Sequence, residues 1–494
     1  MVLTRAASRT LPALIVGAAD WPGSADYRCD GADDQVQIAA AIATGKPVRL
    51  SPGSFVLSAA ITLASNLVLA GAGQGVTILT LANEANAHAL SGTSLTNLTI
   101  RDLSIAGNRA NQTANGRAIN LATCTDVLIA DVEISDTYGN GINASACDRC
   151  RIERCRVTID SSAANPIVVF QGSQASIVGC EVTGGSSAIY LNAHAGGLVQ
   201  GCSVAPHSTG HGGINLKDGT TGSRVVGNVC TGHTNGHSGV EVYGSYNVIA
   251  DNVIDGAGAG NGIEISTSGG VAASHNVLSG NICRNHEAEA GIWLRALDGA
   301  GAINYNALVG NQCYGNAYGI RMANSTDYTT LAGNVLTTNT AANLTLVGSN
   351  NVIAASLADV AARVPASYTL SATGATFATP TGGNAQEFWN SSRYRTKVDL
   401  TNATEARVVV RMAAAAAAGT TLRLQYSTNE SAWNPLDGAS GPSVAVDAIG
   451  TQASAWVSLA AGARQDVLIS AVTANSGADG TTQGQYGTLQ FQVR

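Results

Sequence analysis

The sequence predicts an all-β protein: a parallel β-helix of about a dozen coils, opened by a short helix and followed by an antiparallel β-sandwich. Three observations carry that prediction. Charged residues are only 12% of the 494, about half the ~25% of an ordinary globular chain. Val, Ile and Thr recur in short runs broken by Asn, Asp and 57 glycines, which is the composition of strands and turns. The segment from about 95 to 355 also repeats itself, with steps of 22 to 30 residues.

Residues 1–66 read as a lead-in. Arg5 and Arg9 precede LPALIVGAA, but this run is short and interrupted by Pro12 and Gly17, so a cleaved secretory leader is not expected. In DDQVQIAAAIATG (33–45), Val36, Ile38, Ala39, Ala40 and Ile42 are spaced as one face of a helix, with Asp33 or Asp34 as its cap. Such a helix would cover the unpaired edge of the first coil.

Residues 67–355 are the expected β-helix. Aligning IADVEI, IERCRV, IVGCEV, VQGCSV, VVGNVC, IADNVI, LSGNIC, LVGNQC and LAGNVL places Val132, Cys155, Cys180, Cys202, Asn228, Asn252, Asn281, Asn311 and Asn334 in one register. Two residues on comes a second inward register, Ile134, Val157, Val182, Val204, Cys230, Ile254, Cys283, Cys313 and Leu336. A later strand of each unit gives a third: Ile189, Ile214, Val240, Ile263, Ile292, Ile320 and Leu344. Coils stacked ~4.8 Å apart would bury these columns together in a rod of roughly 60 Å. Strict strand–helix alternation is missing, and a propeller would need repeats of about 40 residues.

The registers account for the ten cysteines. Stacked Cys155, Cys180 and Cys202 act as small core residues, and the asparagines should bond from coil to coil at a bend. CDRC (147–150) spells C-x-x-C, but no second pair or histidine pair follows at zinc spacing. Unpaired buried thiols suit assembly in a reducing cytoplasm. GAGQG (71–75) lacks the Lys-Ser/Thr of a phosphate loop and reads as a coil turn.

Residues 356–370 read as a linker and 371–494 as a β-sandwich. Its strand candidates are 407–412, 421–427, 455–459, 466–472 and 488–493. Trp389, Trp433 and Trp456 fall there, as core residues or as a sugar platform.

The net charge of −7 comes without a basic stripe, which excludes ordinary nucleic-acid binding. No apolar run approaches the ~18 residues of a membrane span.

Two segments, ADYRCDGADDQVQIAAAI and VRLSPGSFVLSAAITLASNLVLAGAG, resemble the opening of the pectate-lyase-like right-handed β-helix superfamily, in particular its phage tailspike and polysaccharide-depolymerase branch. The resemblance covers roughly residues 12–355. It implies a virion tail protein, assembled in the host cytoplasm as a homotrimer and joined to other tail proteins through its N-terminus. Its partner would be a bacterial surface polysaccharide. The superfamily also holds lyases, hydrolases, epimerases and pure binding proteins, so the reaction stays open. The C-terminal sandwich resembles those of phage tail proteins that trimerise or bind glycans.

Strand alternation then locates a candidate site. With Val240, Val242, Ile263 and Ile265 inward, Glu241 and Glu264 face out on adjacent coils. They stand in a column of Tyr190, Asn215, Glu241, Glu264, Trp293 and Arg321. A second column holds Asn192, Lys217, Tyr243, Ser266 and Arg295, and the preceding turns carry His211, His237 and Glu289. A solvated polar face is the bland reading. Against it, like charges on neighbouring strands cost roughly 0.2–1 kcal/mol, unless Lys217 and Arg321 offset them, and outward Trp and Tyr lack a packing reason. A sugar groove uses such residues. Here Glu241, Glu264 and His237 would be catalytic; Tyr190, Asn215, Lys217, Tyr243, Trp293, Arg295, Arg321 and His211 would bind substrate. The longest coils carry the extra residues 267–273 and 296–305 just beyond this column, as a groove wall.

A hydrolase would use the glutamates as acid and base or nucleophile, their crowding raising one pKa. A lyase would use Lys217, His237 or Tyr243 as base and Arg295 to neutralise a uronate. No cofactor is expected: calcium between the glutamates would find few further oxygen ligands, and no calcium-binding nonapeptide is present. A tailspike that binds and cleaves polysaccharide, a non-catalytic receptor-binding β-helix, and a bacterial lyase or epimerase all remain open.

Overall fold

The computed structural model describes residues 12–354 except 115, 208–211, 234–235, 257, 259, 268, 298–300, 324–325 and 347–350. Beyond 354 it describes the strands of the C-terminal region with Ser454 and Leu459. The chain forms two compact units. One holds residues 1–307, 311–325 and 338–345; the other holds 308–310, 326–337 and 346–494.

In the larger unit, helix α1 (Gln35–Ile42) buries Ile38, Ala41 and Ile42. Asp34 sits at its N-cap but makes no side-chain cap bond. Its carboxylate instead accepts from the N–H groups of Gly31 at 3.0 Å and Val56 at 2.8 Å, tying the helix start to strand Gly53–Leu57. The apolar run near the N-terminus supplies strand Leu14–Gly17, paired in parallel with Val48–Leu50. Coil stacking thus begins inside the segment expected as a lead-in.

One long parallel sheet positions the site. Its twelve described strands, one per coil, are β1 (Ile61–Thr62), β2 (Leu90–Thr93), β3 (Ile119–Ala122), β4 (Ile142–Ser145), β5 (Ile167–Phe170), β6 (Ser187–Asn192), β7 (Gly212–Lys217), β8 (Val240–Val242), β9 (Ile263–Ser266), β10 (Ala290–Arg295), β11 (Tyr318–Met322) and β12 (Ala342–Thr345). The register Ile189, Ile214, Val240, Ile263, Ile292, Ile320 and Leu344 pairs in that order. The column from Ile134 through Cys230 to Cys313 does the same on another wall. All ten cysteines are free and buried.

The corner register is satisfied coil by coil. Asn252 donates from Nδ2 to Val225 O at 2.9 Å and to Asn281 Oδ1 at 2.9 Å. Its own Oδ1 accepts from the N–H and Nδ2 of Asn228. A second amide ladder, Asn247–Asn276–Asn306, follows the same rule one bend away.

The smaller unit contains two six-stranded antiparallel sheets, as expected for the C-terminal sandwich. One runs Ala366–Ser371, Gln483–Val493, Glu405–Ala414 and Gly450–Ala453; the other runs Gln386–Glu387, Asp466–Asn475, Thr420–Ser427 and Asn434–Pro435; two short strands join each sheet. Strand Ala366–Ser371 starts inside the segment read as linker, 356–370, and pairs with Gln483–Val493. Trp389, Trp433 and Trp456 lie outside the described residues.

Candidate functional site on the long sheet

The outer column forms in the expected register. Tyr190 pairs with Asn215, Asn215 with Glu241, Glu241 with Glu264, Glu264 with Trp293 and Trp293 with Arg321. Alternation points these residues away from the apolar interior, yet the two glutamates are not a solvated wall. Each is only 1% exposed, because neighbouring side chains and turns close over them.

Two carboxylates on adjacent strands tolerate each other because each has its own cation. Lys217 Nζ lies 2.9 Å from Glu241 Oε2, and His237 Nδ1 lies 3.3 Å from Oε1. The Ser238 N–H donates to the same Oε1 at 3.2 Å. Arg295 grips Glu264 with two bonds, Nε to Oε1 at 2.8 Å and Nη2 to Oε2 at 3.1 Å. Ser238 Oγ and Asn261 Nδ2 also donate to Glu264 Oε2, each at 3.1 Å. Sequence reasoning assigned the second offsetting cation to Arg321. The structure gives that role to Arg295, the strand neighbour two residues along, whose fork matches a carboxylate.

The pair diverges electrostatically. Burial opposes the charge on Glu241, but His237, Lys217 and the Ser238 N–H outweigh it and hold its pKa below the usual value. Burial raises the pKa of Glu264; Arg295 opposes the shift, and the Glu241 charge adds to it. Burial also raises Tyr243, with both glutamates contributing.

Around this pair lies an aromatic–cation layer. Lys217 sits 3.5 Å over the Tyr243 ring, and Arg295 4.0 Å over Trp293. Arg321 lies 4.5 Å from the same indole and 4.8 Å from the Tyr318 ring. Tyr190 is half-buried, its hydroxyl accepting from Asn192 Nδ2 at 2.7 Å. Asn215 is fully buried and donates to Ser187 Oγ, so it supports the wall from inside. His211 lies outside the described residues. Of the two long insertions, Thr267, Ala273 and Ile303 are buried while Leu297 and Tyr305 are exposed, and Ala273 N–H bonds Ala302 O.

Solvent therefore reaches the cations and the imidazole rather than the carboxylates. The side chains of His237, Arg295 and Lys217 are 37%, 24% and 21% exposed, against 2% and 1% for Glu241 and Glu264. His237 Nδ1 faces Glu241 Oε1, so the carboxylate orients the imidazole. The oxygens of both glutamates are committed to cations and N–H or O–H donors. Sequence reasoning missed Ser238 and Asn261. Both stand three residues before a glutamate, so superposing HSGVEV on GNGIEI brings them together.

Residues 117–278 match the family described as the right handed beta helix region. Among solved structures, the A-module of mannuronan C-5 epimerase AlgE4 from Azotobacter vinelandii superposes with a TM-score of 0.53 at 19% identity, covering 69% of this chain and 100% of that one. The AlgE6 A-module of the same organism gives 0.50 at 19% identity, covering 66% and 95%. The Dettilon tailspike protein gives 0.49 at 14% identity, covering 93% and 94%. No curated protein sequence matches the chain. At these identities the likeness is one of fold: the chain is a right-handed parallel β-helix protein, the architecture that its opening segment implied.

Proposed function

We propose that the outer face of β6–β11 binds a uronate-bearing bacterial surface polysaccharide and that the protein cleaves it by β-elimination, as a phage tailspike. The observation that carries this reading is the inverted exposure of the site. A buried carboxylate stands behind Lys217 and His237, and another behind Arg295, so the surface presented to a sugar is His237, Lys217, Arg295, Arg321 and the Trp293 ring. Arg295 and Lys217 would neutralise the uronate carboxylate and so acidify the adjacent carbon. His237, oriented by Glu241, would take that proton, and the bond to the glycosidic oxygen would break as the double bond forms, that oxygen taking a proton from water to leave as a hydroxyl. Glu241 and Glu264 then act as positioning residues. The tailspike assignment, the homotrimer and the virion-tail location are supported by the resemblance of the opening segment.

The test is to incubate the protein with uronate-containing envelope polysaccharides and follow reducing ends together with ultraviolet absorbance from unsaturated uronates. Both signals together, lost in His237→Ala and Arg295→Ala, are expected. Reducing ends without absorbance would favour a second reading, hydrolysis by the two glutamates, which their opposite pKa shifts favour; Glu264→Gln would then stop cleavage while leaving binding. Absorbance and reducing ends both absent, with binding retained, would leave a recognition protein. A new uronate epimer without cleavage would turn the same proton abstraction to epimerisation, the activity named for the AlgE modules.

A further inference from the structure

Four coils before the His237 cluster, on the same edge of the long sheet, the turns preceding β3, β4 and β5 open a cleft of about 530 Å³ lined by Arg109, Arg117, Tyr138, Asn140 and Ser161 among others. Its position follows from the coil plan. His237 lies three residues before the inward residue of β8, as Gly139 does before that of β4. Four coil steps at ~4.8 Å put the two places roughly 19 Å apart along the stacking direction.

The cleft differs in charge from the coil segments around it. The other arginines between residues 101 and 156, namely Arg101, Arg149, Arg151, Arg154 and Arg156, are each paired with a carboxylate. No ion pair forms at Arg109 or Arg117 among the described residues. Both guanidinium groups are nevertheless held in place. Arg117 Nη1 donates to Asn120 Oδ1 at 2.9 Å, and Arg109 Nη1 donates to the carbonyl of Asp160. Each keeps most of its five donors for something else. Of the carboxylates nearby, Asp136 accepts from the Arg109 backbone N–H, and the exposed Asp160 side chain lies 3.6 Å from His207.

An aromatic ring stands beside the two cations. Tyr138 is 42% exposed. It packs on Gly116, where an added Cβ would meet Tyr138 Cβ at 2.7 Å and where φ is +58°. Glycine leaves room for that close approach, which seats the base of the Tyr138 side chain. Asn140 is braced by the Asn165 N–H at 2.9 Å and by Asn143. Two unneutralised forks, a seated ring and a braced amide make an anion site with a flat platform, the chemistry of an acidic sugar.

We infer that this cleft is a second subsite, which holds an acidic sugar of the same polysaccharide strand whose reacting unit lies at His237. The inference rests on the uronate reading of the His237 cluster and deepens it: the ligand is a long acidic chain, laid across several coils and gripped at both ends.

Calorimetry with a galacturonate trimer and a galacturonate decamer tests this at low salt. The decamer should bind wild type about tenfold tighter than the trimer. In Arg117→Ala and in Tyr138→Ala that gain should vanish while trimer affinity stays unchanged; Arg295→Ala should weaken both ligands. Arg109→Ala repeats the test if one of the others unfolds. Decamer affinity unchanged in all three cleft variants overturns the subsite and leaves the uronate reading standing. Loss in the cleft variants with no loss in Arg295→Ala overturns the uronate reading and leaves the cleft as the sole anion site. No binding of either length to wild type overturns both.

Discussion

One corner of the β-helix performs the same task with two chemistries. On three successive coils the corner residue is a cysteine, and on the coils that follow it is an asparagine. Both donate to the carbonyl at the same place one coil back. Cys155, Cys180 and Cys202 reach Ile129, Ile152 and Ile177 O at 3.6 to 3.7 Å through sulfur. Asn228, Asn252, Asn281 and Asn311 reach Val199, Val225, Ile249 and Leu278 O at 2.8 to 3.0 Å. The amide does more, because its oxygen also accepts the next N–H. The two chemistries meet where the Cys202 N–H donates to Asn228 Oδ1 at 2.9 Å. A thiol fills the corner with weak polar contact, whereas an amide fixes coil to coil with full hydrogen bonds. The long, inserted coils that carry the candidate site lie in the amide half.

Breaking the stronger half should have the largest effect. Asn252→Ala removes two donated and two accepted bonds from a fully buried site. It should cost about 3–5 kcal/mol, since each stranded group costs roughly 1–3; denaturant unfolding measures it.

A neighbouring corner sharpens the comparison with pH. Its register, three residues past the Cys230 column, holds His233 and His286, then Asn316 and Asn339. His286 Nδ1 bonds Gly260 O, and Asn316 and Asn339 bond Cys283 and Cys313 O. An amide there does not titrate, but an imidazole does. Burial lowers His233 to about 3 and His286 to about 4 from 6.5, the two rings standing 5.1 Å apart. The unfolded chain therefore binds more protons between those values and pH 6.5. Stability should be full above 6.5 and fall on acidification, by about 3 kcal/mol per imidazole at pH 4. Stability curves of His233→Asn and His286→Asn should be flatter over that window.

The weaker half should respond least. Cys180→Ala deletes one buried sulfur and should cost about 1 kcal/mol, well below Asn252→Ala by the same measurement. Burial pushes Cys150 and Cys230 up to about 12, and all ten thiols are free and buried. A thiol reagent should titrate none in the native protein and ten after unfolding.

Periodicity made most of the fold legible. A side chain's inward or outward sense follows from strand alternation, so the three registers and the Tyr190–Arg321 column could be read from one alignment of short segments. The ladder Asn247–Asn276–Asn306 obeys the same repeat; it falls at a second bend that the alignment of strand cores did not include. The N-cap carboxylate of Asp34 was legible as a position but not as a bond, because its partner Val56 is distant in sequence. In the candidate site, the pairing of Glu241 with Glu264 was visible, and the identity of the cation on Glu264 was not. Arg295 and Arg321 stand equally well in outward columns, and only rotamers and reach decide between them.

By itself, then, the sequence determined which residues stack on which, because a repeat with one strand per coil allows a single register once one face is apolar. The tertiary structure alone decided what those stacked residues expose. Outward is a property of a strand, and exposure is a property of everything packed around it. Glu241 and Glu264 point away from the core and are still closed over by Lys217, His237, Ser238 and Arg295, which strand alternation alone does not reveal.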